Sequence, residues 1–379
     1  MNVMVVFGTR PEAIKMAPVV QALRQRSDAF ETCVCVTAQH RQMLDQALSL
    51  FDIEPDVDLN VMRPHQDLFQ ITTAVLNGLK PVLEERRPDI ALVHGDTSTT
   101  MAASLACYYL KIPVGHVEAG LRTFDRYYPF PEEMNRVVTD SVATLYFAPT
   151  GGARDNLLRS GASPSHVFVT GNTVIDALFY TLSRSADRLP LTLDPAKRLI
   201  LATMHRRENF GEPMREICRA IRDLVDGFSD VEAVIPVHPN PAVREMVTQM
   251  LCDEPRIHLI EPQEYEPFCA LMNRASLILT DSGGVQEEAP SLKKPVLVLR
   301  DETERPEAVQ MGVVKLVGPH YARIMEESVR LLSDPAAYDA MARAVSPYGD
   351  GKAAQRIASI LTHYHAGTLA ELGDAEMTT

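Results

Sequence analysis

The stretch VMVVFGTRPEAIKMAPVV, residues 3–20, runs from a strand through a turn into a helix. Val3 to Phe7 is a short apolar run with β-branched residues, closed by a glycine, and it reads as a buried strand. Gly8-Thr9-Arg10-Pro11-Glu12 then opens a helix whose apolar residues Ile14, Ala17 and Val20 fall three apart. Thr9 and Glu12 have capping-box spacing, which accounts for those two without any chemistry. Arg10 and Lys15 are left over at the positive end of that helix. Backbone N–H groups already point outward there, and two added cations make an anion site. The turn is not GxGxxG, so no dinucleotide cofactor is indicated.

Working outward, the first half alternates further β-type runs (Cys33 to Val36, Ile90 to Val93, Val114 to Val117, Leu145 to Phe147, Val167 to Val169) with helix-period segments. Such alternation is how βαβ units read, and it implies a parallel sheet wrapped by helices. Near Gly171 the cycle starts afresh, with strand candidates at Leu199 to Ala202, Ala233 to Ile235, Ile257 to Ile260, Leu277 to Thr280, Val296 to Leu299 and Val313 to Leu316. Residues 1–170 and 171–351 are therefore expected to be two Rossmann-like α/β domains facing a central cleft. A helical segment at about 352–372 is expected to return to the first, and the tail 373–379 to fray.

A chain of 379 residues exceeds one ordinary core, in keeping with two domains. The formal net charge of −13, with no long Lys/Arg run, argues against nucleic acid or an anionic membrane surface as partner. An anionic ligand must then find local cations. Cys33, Cys35, Cys107, Cys218, Cys252 and Cys269 lie mostly in apolar stretches without metal-ligand spacing, the pattern of reduced core thiols. The start MNVMVVFGTRPE lacks a basic n-region, and its apolar run is too short to span a bilayer, so a cytoplasmic protein is expected.

Open parallel sheets bind ligands beyond the carboxyl ends of their strands, and the motifs sit there. Asp281-Ser282-Gly283-Gly284 follows the Leu277 to Thr280 run and begins a helix carrying Glu288. The glycines allow phosphate close to backbone donors, Ser282 adds a hydroxyl, and Glu288 suits ribose; a plain turn with a cap is the bland alternative. Asp96, Glu118 and Glu132 follow strands or open a helix in the first half. Each alone fits a cap or a solvated charge, but three carboxylates along one sheet edge suit acid–base chemistry on two faces of a sugar. His205 and the arginines of Thr203-Met204-His205-Arg206-Arg207-Glu208-Asn209, and His238 of the HPNP turn, end the first two strands of the second half. No HExxH or Cys/His cluster indicates a metal, and no Gly-x-Ser-x-Gly a serine nucleophile.

In order along nearly the whole chain, GTRPE at 8–12, HGDT at 94–97, HVEAGLRT at 116–123, PEEMNR at 131–136, HRREN at 205–209, HPNP at 238–241 and DSGGVQEE at 281–288 resemble the non-hydrolysing UDP-N-acetylglucosamine 2-epimerases. The resemblance implies a glycosyltransferase-B-like fold and a homodimer. It also implies an isomerase that interconverts UDP-GlcNAc and UDP-ManNAc without a cofactor, its product feeding surface polysaccharides. It places acid–base roles on Asp96, Glu118 and Glu132, with His205 at the departing diphosphate and Lys15, Arg10 and Arg136 near phosphate or sugar. Uridine and phosphate contacts fall on Ser282, Gly283, Gly284, Glu288 and Arg305, with Phe268 against uracil. A second UDP-GlcNAc, bound as activator, would meet Gln39, Gln42, Gln66, Glu132, Arg206 and His238. At one position of that site activated members carry arginine, whereas this chain has His65, with Arg63 nearby.

The implied chemistry is loss of UDP from C1 with removal of the C2 proton, giving a 2-acetamidoglucal, then re-addition with protonation on the opposite face. The residue reading leaves open a glycosyltransferase of the same architecture, which would need an acceptor, and a hydrolysing relative, which would release free ManNAc. A silent nucleotide-sugar sensor is also open, but it would give the carboxylates no task.

Overall fold

The apolar runs at 90–94, 114–117 and 277–280 are buried along their whole length, as strands inside a parallel sheet covered on both faces are. The structure, a computed structural model, describes all residues except 39, 40, 62, 64, 65, 186, 187 and 373–379, with the backbone alone at 41 and 42. Strands β1 (Asn2–Phe7), β2 (Glu31–Val36), β3 (Val57–Asp58), β4 (Ile90–His94), β5 (Val114–Val117), β6 (Leu145–Ala148) and β7 (Val167–Val169) form one sheet, in the order β3-β2-β1-β4-β5-β6-β7. Strands β8 (Arg198–Thr203), β9 (Val231–Pro236), β10 (Ile257–Ile260), β11 (Leu277–Thr280), β12 (Val296–Val298) and β13 (Val314–Leu316) form a second, in the order β10-β9-β8-β11-β12-β13. Every pairing in both sheets is parallel. This is the doubly wound order expected of two Rossmann-like units.

In each sheet the winding reverses beside its first strand, between β1 and β4 and between β8 and β11. Such switch points open a crevice at the strand ends. The turns after β1 and β4 are GTRPE and HGDT, and those after β8 and β11 are TMHRREN and DSGG. The strands beneath are fixed by dense apolar packing. In the second sheet Ile200, Ala202 and Ile235 lie under Ile217, Ile221 and Leu224 of the helix Glu212–Gly227, all at most 1% exposed. Burying such side chains contributes roughly 1.5–3 kcal/mol each.

Some features differ from the sequence expectation. Strand β3 has two residues, too few to show alternation, and it pairs only at the edge with Cys35 and Val36. Of the six free cysteines, Cys33 is half-buried and Cys252 is exposed beyond the helix Pro241–Leu251, so these two are not core thiols. The chain divides into a first compact unit, Met1–Tyr180 with the chain from Tyr348 onward, and a second, Thr181–Pro347, rather than at 170/171 and 351/352. The cause is a staple of polar contacts. Asn172 N–H donates to Tyr348 O at 2.8 Å, and the Asp176 carboxylate accepts the N–H groups of Ala353 and Ala354 at 3.2 and 2.9 Å. The helix Ala353–Ala366 packs on the helix Arg10–Arg24 of the first unit. No helix among the described residues is long and apolar enough to cross a membrane. The tail 373–379 lies outside the described residues.

Candidate functional site

In the first unit the turn after β1 must be tight. A Cβ on Gly8 would lie 2.1 Å from Thr37 Oγ1 and 2.7 Å from Thr99 Oγ1. Thr9 caps the next helix in a full capping box with Glu12. Glu12 also reaches across the switch point. One of its oxygens accepts from Gly8 N–H at 3.0 Å and Thr9 N–H at 2.7 Å, the other from the Thr97 and Thr100 hydroxyls at 2.6 and 3.1 Å. Burial pushes its carboxyl up against these hydrogen bonds. Glu12 thus ties the β1 turn to the β4 turn.

Glu118 follows β5 in the left-handed region, φ 62°, and is buried. Its Oε2 receives Lys15 Nζ and, at 3.1 Å, Asn172 Nδ2. Arg136, also buried, donates to the Glu118 carbonyl. Its Nη2 lies 2.6 Å from Asp96 Oδ2 and 3.8 Å from Glu118 Oε1. One guanidinium therefore holds both carboxylates, while Asn135 Nδ2 fixes the Asp96 carbonyl at 2.9 Å. Burial alone would raise Glu118, but the Lys15 ammonium and the Arg136 guanidinium hold it well below the usual carboxylate range. His94 Nε2 lies 3.7 Å from Glu118 Oε2. Burial, opposed by Glu118 and aided by Lys15 and Arg136, lowers His94 to about 3, so its ring stays neutral.

The structure thus brings together Lys15, Asp96, Glu118 and Arg136. Arg136, expected near phosphate or sugar, commits its guanidinium to the two carboxylates. Glu132 opens the helix Glu132–Val142 and has no polar partner among the described residues. Its neighbour Glu133 is buried, accepting from Arg122 Nε at 2.8 Å and from the N–H groups of Thr123 and Phe124 at 2.9 and 3.1 Å. Arg10 is likewise without a polar partner among the described residues. Gln66 turns onto its own loop, accepting Arg63 N–H and donating to Val61 O, both at 2.8 Å. Gln39, the side chain of Gln42, and His65 lie outside the described residues.

In the second unit Asp281 is the hub. It is fully buried at the end of β11 and accepts from the N–H groups of His205 and Arg206 at 2.9 Å each and from Asn209 Nδ2 at 3.1 Å. His205 Nδ1 is 2.8 Å from its Oδ1. Burial would raise this carboxyl, but His205 and the loop N–H groups bring it below the ordinary value. The loop after β8 is thereby wrapped on Asp281. The His205 and His238 rings stack with centroids 6.2 Å apart, and His238 Nδ1 accepts Asn240 N–H at 3.2 Å. Arg206 Nε is buried without a hydrogen-bond partner among the described residues.

Ser282 caps the helix Gly283–Glu288 by position, yet its hydroxyl bonds nothing among the described residues. Gly283 backs onto Arg305, whose Cζ would be 3.0 Å from an added Cβ, and Arg305 Nε donates to Glu287 Oε1 at 2.8 Å. Tyr265 O–H donates to Glu288 Oε2 at 2.9 Å. Phe268 lies one turn along the same helix, Tyr265–Arg274, on the same side as Tyr265. Ser282, Gly283, Gly284, Glu288 and Arg305 thus share one short helix and its immediate surroundings, and Phe268 is related to them only through Tyr265, one turn before it.

The sequence marked no site role for His94, Asn172, Asn209 or Asp281, and gave Glu12 only its place in a capping box. All but Asn172 stand inside motifs quoted for their neighbours, and Asn172 stands just past the end of β7, the position that marked the others. Among the described residues no group of three or more His, Cys, Asp or Glu side chains is arranged to hold a metal ion.

A family model described as UDP-N-acetylglucosamine 2-epimerase matches residues 21–362. The UDP-N-acetylglucosamine 2-epimerase of Escherichia coli strain K12 is 57% identical over 370 residues, covering 95% of this chain and 98% of its own. The crystal structure of UDP-GlcNAc 2-epimerase from Neisseria meningitidis bound to UDP-GlcNAc superposes with a TM-score of 0.85 at 50% identity, covering 95% and 99% of the two chains. The S. aureus MnaA–UDP co-structure gives a TM-score of 0.84 at 45% identity, covering 96% and 97%. The two Rossmann-like α/β units match the glycosyltransferase-B-like fold of these epimerases.

Proposed function

The chain belongs to the UDP-N-acetylglucosamine 2-epimerase family, of the non-hydrolysing type, and from that membership we propose how its residues share the work of the reaction it catalyses, the reversible interconversion of UDP-GlcNAc and UDP-ManNAc. C2 of the sugar has no adjacent carbonyl, so its hydrogen becomes acidic only as UDP leaves C1. Elimination takes the C2 proton to a carboxylate and the C1–O bonding pair to UDP, leaving a 2-acetamidoglucal. Re-addition of UDP, with a proton delivered to the other face of C2, inverts that centre.

Asp96, Glu118 and Glu132 form the acid–base set. The observation that carries the assignment is the shared grip on Asp96 and Glu118: one buried guanidinium holds both, and Lys15 holds the second. Glu118 is held ionised by its cations, the form a base must have. The second unit supplies the grip on UDP. The Ser282 hydroxyl, the backbone at Gly283 and Gly284, His205 and Arg305 stabilise the departing diphosphate, together with Arg10. Glu288 takes ribose hydroxyls, and Phe268 packs on uracil.

A second UDP-GlcNAc acts as activator at Gln39, Gln42, Gln66, Arg206 and His238; Arg206 Nε, buried without a hydrogen-bond partner among the described residues and next in sequence to the stacked His205, supports an anion there. The enzyme works as a cytoplasmic homodimer and supplies ManNAc units for surface polysaccharide, a reading supported by family membership. Incubation with UDP-GlcNAc alone in heavy water, followed by proton NMR, is expected to give UDP-ManNAc deuterated at C2. Product without deuterium at C2 refutes the elimination route. Replacing Asp96, Glu118 or Glu132 by the matching amide is expected to cut turnover severely in a folded protein, and near-normal activity removes that residue from the set.

A further inference from the structure

Glu118 needs more than a positive neighbour if its carboxylate is to face one atom of a sugar. Lys15 supplies charge, but an ammonium on a four-carbon stem fixes direction poorly, and Arg136 Nη2 stands off at 3.8 Å. The directional contact is Asn172, which is 3% exposed and whose Nδ2 donates to Glu118 Oε2 at 3.1 Å. Val174 N–H donates to Asn172 Oδ1 at 3.0 Å, and this settles which end of the amide faces the carboxylate.

Asn172 is itself held by backbone. It precedes the helix Thr173–Ser185, within which the chain leaves the first unit, and its N–H donates to the carbonyl of Tyr348, where the chain re-enters. Arg356 donates to Thr170 O at 3.2 Å and holds Asp350 at 2.8 and 3.0 Å, so the exit and re-entry segments are fastened together. We propose that Asn172 is a positioning residue for the epimerisation: it fixes the direction of the Glu118 carboxylate, favours its ionised form, and references both to the two points where the chain crosses between units. The proposal rests on the role given to Glu118 above.

The test is the pH profile of kcat/KM with the kcat and KM of Asn172→Asp, Asn172→Ala and Glu118→Gln, each checked for folding by circular dichroism. Asn172→Asp keeps the acceptor for Val174 N–H while setting a second carboxylate beside Glu118, so the acid limb is expected to move up by roughly a pH unit or more. Asn172→Ala is expected to lower kcat about tenfold to a hundredfold, with KM within about threefold. If the alanine variant does not fold, the aspartate variant decides. An acid limb at the wild-type pH with kcat within twofold in Asn172→Asp overturns the proposal. Glu118→Gln separates the two readings. If it is active, the role of Glu118 falls and this inference with it; if it is inactive while Asn172→Asp behaves as wild type, only the inference falls.

Discussion

Replacing Asp281 by asparagine tests whether this carboxylate sets the state of His205 as well as the shape of its loop. Four donors meet the two oxygens: the N–H groups of His205 and Arg206, Asn209 Nδ2, and His205 Nδ1. A carboxylate only accepts, so His205 Nδ1 carries a proton. The amide has two orientations. With its oxygen at the Oδ2 position, it still accepts from both backbone N–H groups and from Asn209. The other orientation strands Arg206 N–H and Asn209, at roughly 1–3 kcal/mol for each buried donor. The first therefore wins, the loop keeps its shape, and the amide N–H₂ now faces His205 Nδ1. That nitrogen must become an acceptor, which moves the proton to Nε2. Tautomer inversion of this kind lowers turnover by up to about 10⁴-fold in a serine protease, and about 10²- to 10⁴-fold, or roughly 3–5 kcal/mol, is expected here. The assay is steady-state formation of UDP-ManNAc, with ¹⁵N shifts of the His205 ring to read the tautomer and circular dichroism to confirm the fold. Turnover within threefold of wild type, or an unchanged tautomer, refutes the reasoning. Asp281→Ala is less informative, because it strands every one of these donors at once.

The anion site read from the first turn divides on inspection, since Lys15 is committed to Glu118 while Arg10 is not; Arg10→Ala is expected to raise KM chiefly and Lys15→Ala to lower kcat chiefly, as steady-state kinetics would show. Gly120 has φ 85° and an added Cβ would lie 2.3 Å from the Ala153 carbonyl oxygen, so Gly120→Ala should destabilise by about 2–4 kcal/mol in thermal melts, whereas Gly151→Ala, with nothing within 4 Å in the first helical turn, should be neutral or stabilise by about 0.5–1 kcal/mol. Burial raises the Asp176 carboxyl to about 6 against the hydrogen bonds from Ala354 and Ala353, so the folded chain holds that proton more tightly than the unfolded chain. The resulting contribution is fully present below about pH 4 and is lost as pH rises through about 6, a change on the order of 2–3 kcal/mol. Denaturation of wild type and Asp176→Asn at pH 4 and 7 should show wild type losing ground with rising pH, and a constant difference would contradict the assignment.

What the sequence made legible is what repeats locally. Each strand of the doubly wound order except β3 could be placed from its apolar run, and the rule that motifs follow strands picked out the turns that the strand order then puts at the switch points. What it hid is what topology makes adjacent. Glu12 meets Thr97 across 85 residues, Asn172 meets Glu118 across 54, and Asp281 meets His205 across 76. No local window contains any of these three pairs. Glu12 looked complete as half of a capping box, and Asp281 as the start of a glycine turn, because a local role explained each without remainder. Glu132 and Glu133 show the limit most sharply. They are adjacent and chemically alike, and the helix decides between them: Glu133 is buried on the same face as Arg136 and is consumed in holding the 122–124 turn, while the half-buried Glu132 side chain makes no hydrogen bond or ion pair among the described residues. The same sorting applies to the cations. Charge at the first helix start suggested two equal anion ligands, but a lysine one turn in reaches the carboxylate after β5, and the arginine at the turn itself does not. In the proposed division of work, the first unit uses Lys15 and Arg136 for proton transfer and keeps Arg10 for the phosphate.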